Sequence, residues 1–237
     1  MRSYRAAFVL LSVFLLGGCA ATTVQNNVHH AYSTTESERE KVKKILIVPS
    51  DVVVKELGVG SVEEVPEWTE KGKELVDSEL ESYMNSHLGT VSLVPMPELT
   101  KEEQAILDQH VVLYDLVAGN ALTITNIAAF KSESDRPDDT LGSGLRFLKE
   151  KSGADSVLLT FGADFVSSGG RVMTAVLLAA AGVVIPGGHA VLNTGLIDLD
   201  TGDVIWTNTS LSTSISLKDD KGAKSMVKQT LGAFPSL

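Results

Sequence analysis

Ile45-Leu46-Ile47-Val48 is an uninterrupted apolar, mostly β-branched run closed by Pro49. A strand with no polar alternation is apolar on both faces, so both faces have to be covered. That requirement points away from a one-sided sheet and toward layers. The rest of the chain supplies the elements to build them. Pro66-Glu67-Trp68 opens a helix whose Trp68, Leu75, Val76, Leu80, Tyr83, Met84 and Leu88 recur at helical spacing, with Gly89 as its stop. A short strand follows at Val91–Pro95. Thr100-Lys101-Glu102-Glu103 then has capping-box spacing ahead of a second helix that runs to about Val117. Residues 141–151 read as a third helix closed by Gly153, and residues 155–166 as a third strand. Residues 190–199 and 204–211 form a hairpin around Asp200-Thr201-Gly202-Asp203, and residues 221–233 a closing helix. Residues 50–65 read as a Gly/Val-rich connection. The order βαβα(α)βββα predicts one α/β domain, a mixed sheet with flanking helices, over residues 43–237.

The chain holds one cysteine, Cys19. Arg2 and Arg5 precede an apolar stretch from Ala6 to Leu16, which has the layout of a secretory signal and is too short for a membrane span of ~20 residues. Leu16-Gly17-Gly18-Cys19 resembles the lipobox of bacterial lipoproteins. The resemblance implies cleavage after residue 18, acylation of Cys19, and, with Ala20 rather than aspartate next, delivery to the periplasmic face of the outer membrane. Stable attachment takes more than one acyl chain, and a triacylated cysteine supplies it. Residues 19–42 then form the lipidated N-terminus and a polar tether without sustained periodicity.

Charge narrows the partners. The chain carries 20 basic and 30 acidic residues, a net charge of −10, and loss of Arg2 and Arg5 makes it more acidic still. Such a balance disfavours nucleic acid. With a single cysteine no internal disulfide forms, so stability has to come from the core.

Three segments resemble the envelope α/β domain shared by the TolB amino-terminal domain, the curli-secretion lipoprotein CsgG and the lipoprotein activators of peptidoglycan synthases. They are Lys43-Lys44-Ile45-Leu46-Ile47-Val48-Pro49, Gly153-Ala154-Asp155-Ser156-Val157-Leu158-Leu159, and the hairpin from Gly195 to Trp206. The resemblance implies an oligomerising or partner-binding periplasmic domain with no shared enzymatic activity. No pair of alternating strands of about 9–11 residues is visible, so the chain departs from the pore-forming pattern.

Motifs with chemical potential give way to structural readings. Ser225-Met226-Val227-Lys228 has the spacing of a serine–lysine pair, but its companion elements are missing. Asp198-Leu199-Asp200-Thr201-Gly202-Asp203 resembles the start of a calcium loop, but its glycine comes one position early and Thr209 stands where the glutamate belongs. Gly58-Val59-Gly60 begins a dinucleotide fingerprint that Glu63 breaks, and Gly142-Ser143-Gly144 lacks the outer glycines of a nucleophile elbow. His29-His30 reads as part of the tether, and His87, His110 and His189 as structural. No cofactor and no metal are expected. An enzyme acting on an envelope polymer would have to draw on Asp155, Asp164 and Asp198 as general acid and base.

The least ordinary stretch is Val172–Ile185, VMTAVLLAAAGVVI, bracketed by Gly169-Gly170 and Pro186-Gly187-Gly188. As a helix its fourteen residues span ~21 Å, short of the ~30 Å hydrocarbon core. Apolar on every side, it is either internal core, as helix or strand, or a contact surface. Val176, Leu177, Leu178, Val183 and Val184 are the interface candidates. The expected function is non-enzymatic: a lipid-anchored accessory factor in envelope assembly or secretion, forming homo-oligomers or binding an envelope protein.

Overall fold

The computed structural model describes residues 22–28, 40–87, 89, 91–124 and 139–235. Its eight strands are β1 (Thr22–Val28), β2 (Lys44–Ile47), β3 (Asp51–Leu57), β4 (Val62–Glu64), β5 (Ser92–Val94), β6 (Ser156–Ser167), β7 (His189–Asp198) and β8 (Val204–Ser212). Five α-helices accompany them: α1 (Pro66–His87), α2 (Lys101–Ile124), α3 (Arg146–Ser152), α4 (Gly169–Ala180) and α5 (Asp220–Leu231). A 3-10 turn at Ser143–Leu145 leads into α3.

All eight strands join one mixed sheet in the order β1-β8-β7-β6-β2-β5, with β3 also on β6 and β4 on β3. Its central strand, β6, is twelve residues long. Along one edge it pairs in parallel first with β2, at Ser156–Leu158, and then with β3, at Phe161–Ser167. Its other edge runs antiparallel to β7 over ten residues. The β2–β3 break falls at Val48-Pro49-Ser50, where proline has no N–H for a ladder. The chain then resumes pairing on the same edge of β6.

The doubly apolar run behaves as its pattern requires. Ile45 turns to one face with Val76, Leu80 and Met84 of α1 and Met226 and Val227 of α5. Leu46 and Val48 turn to the other, with Leu107, Val111 and Tyr114 of α2 and Leu148 of α3. Within β6, Val157, Leu158 and Leu159 alternate between the same two cores. The molecule is thus a helix–sheet–helix sandwich, the mixed α/β class expected from the element order.

Local chemistry sets the helix positions. Thr100 and Glu103 form the reciprocal capping box: the Thr100 N–H donates to Glu103 Oε2 at 2.7 Å and the Glu103 N–H to Thr100 Oγ1 at 3.2 Å. Gly153, at φ 70°, ends α3. On α1, Gly72 lets the helix settle against Val52 and Val54, whose methyl carbons would lie 3.2–3.3 Å from an added Cβ. Thr69 of the same helix accepts the Val54 N–H at 3.0 Å, satisfying a backbone donor of β3.

Two expectations need correcting. Thr22–Val28 lies within the segment read as tether, yet it forms β1, paired antiparallel with β8 from Thr22↔Ser212 to Val28↔Trp206. Residues 50–65 are not a simple connection but contain β3 and β4. All three strands owe their order to a neighbouring edge rather than to a strong pattern of their own.

Tyr114 locks α2 onto the sheet. Its buried hydroxyl donates to Asn193 Oδ1 at 2.7 Å and lies 2.8 Å from Thr207 Oγ1, while its ring passes over Gly195, where an added Cβ would fall 2.4 Å from Tyr114 Cε2. Gly195→Ala is therefore expected to destabilise the domain by about 1–3 kcal/mol through overpacking, measured as a lower urea midpoint with an unchanged m-value.

Candidate interaction surface

The stretch that looked anomalous in sequence leaves the body of the molecule. Strand β6 ends at Ser167 and β7 begins at His189, and between these paired strands the chain makes the excursion that contains α4. Ser168 caps the helix, its Oγ accepting the Arg171 N–H at 3.2 Å. The guanidinium of Arg171 then ties the excursion to its surroundings, donating to the carbonyls of Gly58, in the β3–β4 turn, at 3.3 Å and of Pro186 at 3.0 Å. The exit is equally defined. Gly182 stands at φ 82°, the Val183 N–H reaches back to the Leu178 carbonyl at 2.9 Å and the Gly182 N–H to the Ala179 carbonyl at 3.0 Å, which together make a Schellman ending. At the return, Gly188 passes so close to the Phe165 carbonyl that a Cβ there would lie 2.3 Å from the oxygen. His189 stacks on Phe165 with ring centroids 4.8 Å apart.

No residue of α4 is buried. Val176 is 61% exposed, Leu177 67% and Val184 87%; Val183 is also exposed, and Leu178 is half-buried. The reading of residues 172–185 as internal core does not hold: the segment is helical as far as Ala180, turns out through Gly182, and carries its apolar side chains largely outward. Val59 and Val62 of the adjoining β3–β4 hairpin are exposed beside it. A second, smaller apolar stripe lies on α2 at Val112, Leu113 and Leu116.

The carboxylates proposed for acid–base work are spread apart. Asp155 Oδ2 accepts the Lys43 and Lys44 N–H groups at 3.1 and 3.0 Å, and Asp198 Oδ1 accepts those of Asp200 and Thr201. These two line one depression with Asp200 and Lys149. Asp164 is at the other end: it is level with Ala190 while Asp198 is level with Ser156, about 27 Å away along β7 at ~3.4 Å per residue. Asp164 is itself enclosed, accepting Ser216 Oγ–H at 2.6 Å and the Leu217 N–H at 2.8 Å. Burial raises its pKa, with those two donors opposing the shift.

The remaining motifs serve structure. Gly202, at φ 82°, makes the β7–β8 turn, and the Lys149 ammonium pairs with Asp200 beside it. His87 stacks on Tyr83, and His110 Nδ1 lies 2.7 Å from the Ile106 carbonyl oxygen. Among the described residues, no three His, Cys, Asp or Glu side chains are placed to hold a metal ion, and no helix is long and apolar enough to cross a membrane. Cys19 lies outside the described residues, as does His29-His30.

Sequence reasoning did not single out the carboxylates at the carboxyl ends of β2 and β5. Asp51 and Asp108 line an open cleft beside Met96 and Val111, and Asp77 lines another on the opposite side of Pro49. Asp77 accepts the Ser50 N–H at 2.7 Å, and burial raises its pKa. Because these residues are far apart in the chain, only the topology brings them to one edge.

Fold and surface together define a mixed α/β domain carrying an apolar helical excursion at one end of its sheet. No protein-family model and no curated protein matches the chain. Among solved structures it is similar to the PelC dodecamer from Paraburkholderia phytofirmans, with a TM-score of 0.37 and 13% identity over 89% of this chain and 95% of that one. A point variant of that dodecamer is similar with a TM-score of 0.36 and 12% identity over 92% and 100%.

Two outcomes are expected. Gly182→Ala should fray the end of α4 by about 1 kcal/mol without moving the global melt, visible as faster amide exchange at positions 182 and 183. Asp164→Asn keeps an acceptor oxygen and removes a buried charge. A carboxyl whose folded pKa is raised holds its proton more tightly folded than unfolded, so it favours the fold at low pH and that contribution is lost as pH rises from the ordinary aspartate range through the raised value. The variant should flatten this decline in a pH series of denaturant midpoints.

Proposed function

We propose that this protein is an outer-membrane lipoprotein, held on the periplasmic face by acyl chains on Cys19, whose domain works by association rather than catalysis. Its role is that of an accessory factor in envelope assembly or secretion, oligomerising or binding another envelope component, with α4 as its exposed contact to the envelope. The observation that carries the reading is α4 with its exit: a well-capped helix that contributes no buried residue to the domain while exposing Val176 and Leu177, followed by the exposed Val184. Exposed contiguous apolar surface of this kind marks an interaction site. The sequence around Cys19 supports attachment at the envelope, and the acidic balance of the chain fits a protein partner better than a polyanion.

Radiolabelled palmitate should enter the wild type and not Cys19→Ser; label in the variant would refute acylation at that residue. Replacing both Val176 and Leu177 by glutamate should abolish association with envelope components in crosslinked cells. Because both side chains are exposed, the circular dichroism melt should shift little. A collapsed melt, or undiminished association, would refute α4 as the contact surface.

A further inference from the structure

The sheet register places two features at one end of the molecule. Thr22, the first residue of β1, lies opposite Ser212 of β8. Ser212 lies opposite Ala190 of β7, the second residue after the α4 excursion, and Ala190 lies opposite Asp164 of β6. With strands ~4.8 Å apart, the start of β1 is only about 10 Å from the base of that excursion. Cys19 precedes Thr22 by three residues, a reach of at most ~11 Å. Acyl chains on Cys19 would therefore enter a membrane at the end of the sheet from which α4 departs.

What α4 offers there suits hydrocarbon. From Val172 to Gly188 there is no charged residue, in a chain whose net charge is −10. A helix apolar on all sides needs either a protein core or lipid around it, and α4 has no core. Backbone polar groups are tolerated in lipid only when they are satisfied internally, and the ends of α4 supply part of that provision: Ser168 Oγ takes the Arg171 N–H at the start, and the Gly182 and Val183 N–H groups take up the Ala179 and Leu178 carbonyls at the finish. The hydroxyl of Thr174 donates to the Gly170 carbonyl within the helix. Twelve residues span ~18 Å, too little to cross the ~30 Å hydrocarbon core and enough to lie within one leaflet.

We infer that the bilayer holding the Cys19 acyl chains also takes α4, which lies in the same leaflet as a second, non-covalent anchor. The inference rests on the lipoprotein reading for the position of the membrane, but α4 can be tested separately. Its interaction is with acyl chains, not with charged headgroups. Two anchors fix orientation where one leaves a domain free to swing, so the sheet would stand with its Asp198–Asp203 end directed away from the membrane.

The test uses the full chain purified from membranes and reconstituted in phosphatidylcholine vesicles, with an environment-sensitive fluorophore on Leu177→Cys. Val184→Cys repeats the measurement at an independent exposed position, and Lys43→Cys, exposed at the opposite end of the sheet, is the control. The expected result is blue-shifted emission at 177 and 184, with most of it lost when the phosphatidylcholine carries brominated acyl chains, and neither change at 43. A water-like spectrum at 177 and 184 overturns the inference. So does a blue shift that persists in detergent, is not quenched by bromine and accompanies crosslinking between two copies, because a second copy then covers the helix. The intact mass of the same samples reads Cys19. If Cys19 is unacylated, the probe series is repeated on Cys19→Ser so that position 177 alone is labelled; a quenched probe there supports α4 in the bilayer while the mass refutes the lipidated anchor, whereas an acylated Cys19 with an unquenched probe does the reverse.

Discussion

Strand β6 is hydrogen-bonded on both edges and covered on both faces, and the remaining elements are placed by what it needs. Ser156–Leu158 pair with β2 and Phe161–Ser167 with β3, so the chain must return to one edge of β6 after the break at Pro49. The other edge is filled by β7. With Val157, Leu158 and Leu159 fully buried, no polar face remains that water could wet. Two helical layers are the consequence: α1 and α5 on one side, α2 and α3 on the other. Removing either layer would expose a row of side chains worth about 1.5–3 kcal/mol each in lost burial.

Much of this was legible from local pattern. The apolar run at Ile45–Val48, the capping box at Thr100 and Glu103, the stop at Gly153 and the turn at Gly202 are written in residues whose structural meaning is short-range. β1, β3 and β4 were not legible, for a common reason. Asp51–Leu57 breaks its apolar run with Lys55 and Glu56, Val62–Glu64 is three residues long, and Thr22–Val28 is largely polar. Their order comes from edges supplied by strands distant in sequence, and pairing of that kind leaves little trace in the pairing segment itself.

The exposed apolar excursion was half legible. Composition and bracketing glycines isolated Val172–Ile185, but an apolar run reads alike whether it is swallowed by a core or turned outward. The deciding fact is that both faces of the sheet are already covered, by α1 and α5 on one side and α2 and α3 on the other, so the segment joining β6 to β7 turns outward. In the same way, Asp155, Asp164 and Asp198 looked equivalent along the chain. Structure separates them into backbone clamps at opposite ends of one strand pair, while Asp51, Asp77 and Asp108 come to the carboxyl ends of β2 and β5 only because those strands lie side by side in parallel.

The pairing of β1 with β8 also dictates the order in which the molecule can be completed. β1 is the earliest strand synthesised and its partner among the last, so its contacts carry the largest loop-closure cost and have to form late. Until then β8 presents an open edge, the part of a sheet most exposed to pairing with other chains. The run Thr207-Asn208-Thr209-Ser210 along that strand lacks the hydrophobicity that makes a transient edge aggregate. The folding chain can therefore wait for its own beginning to arrive.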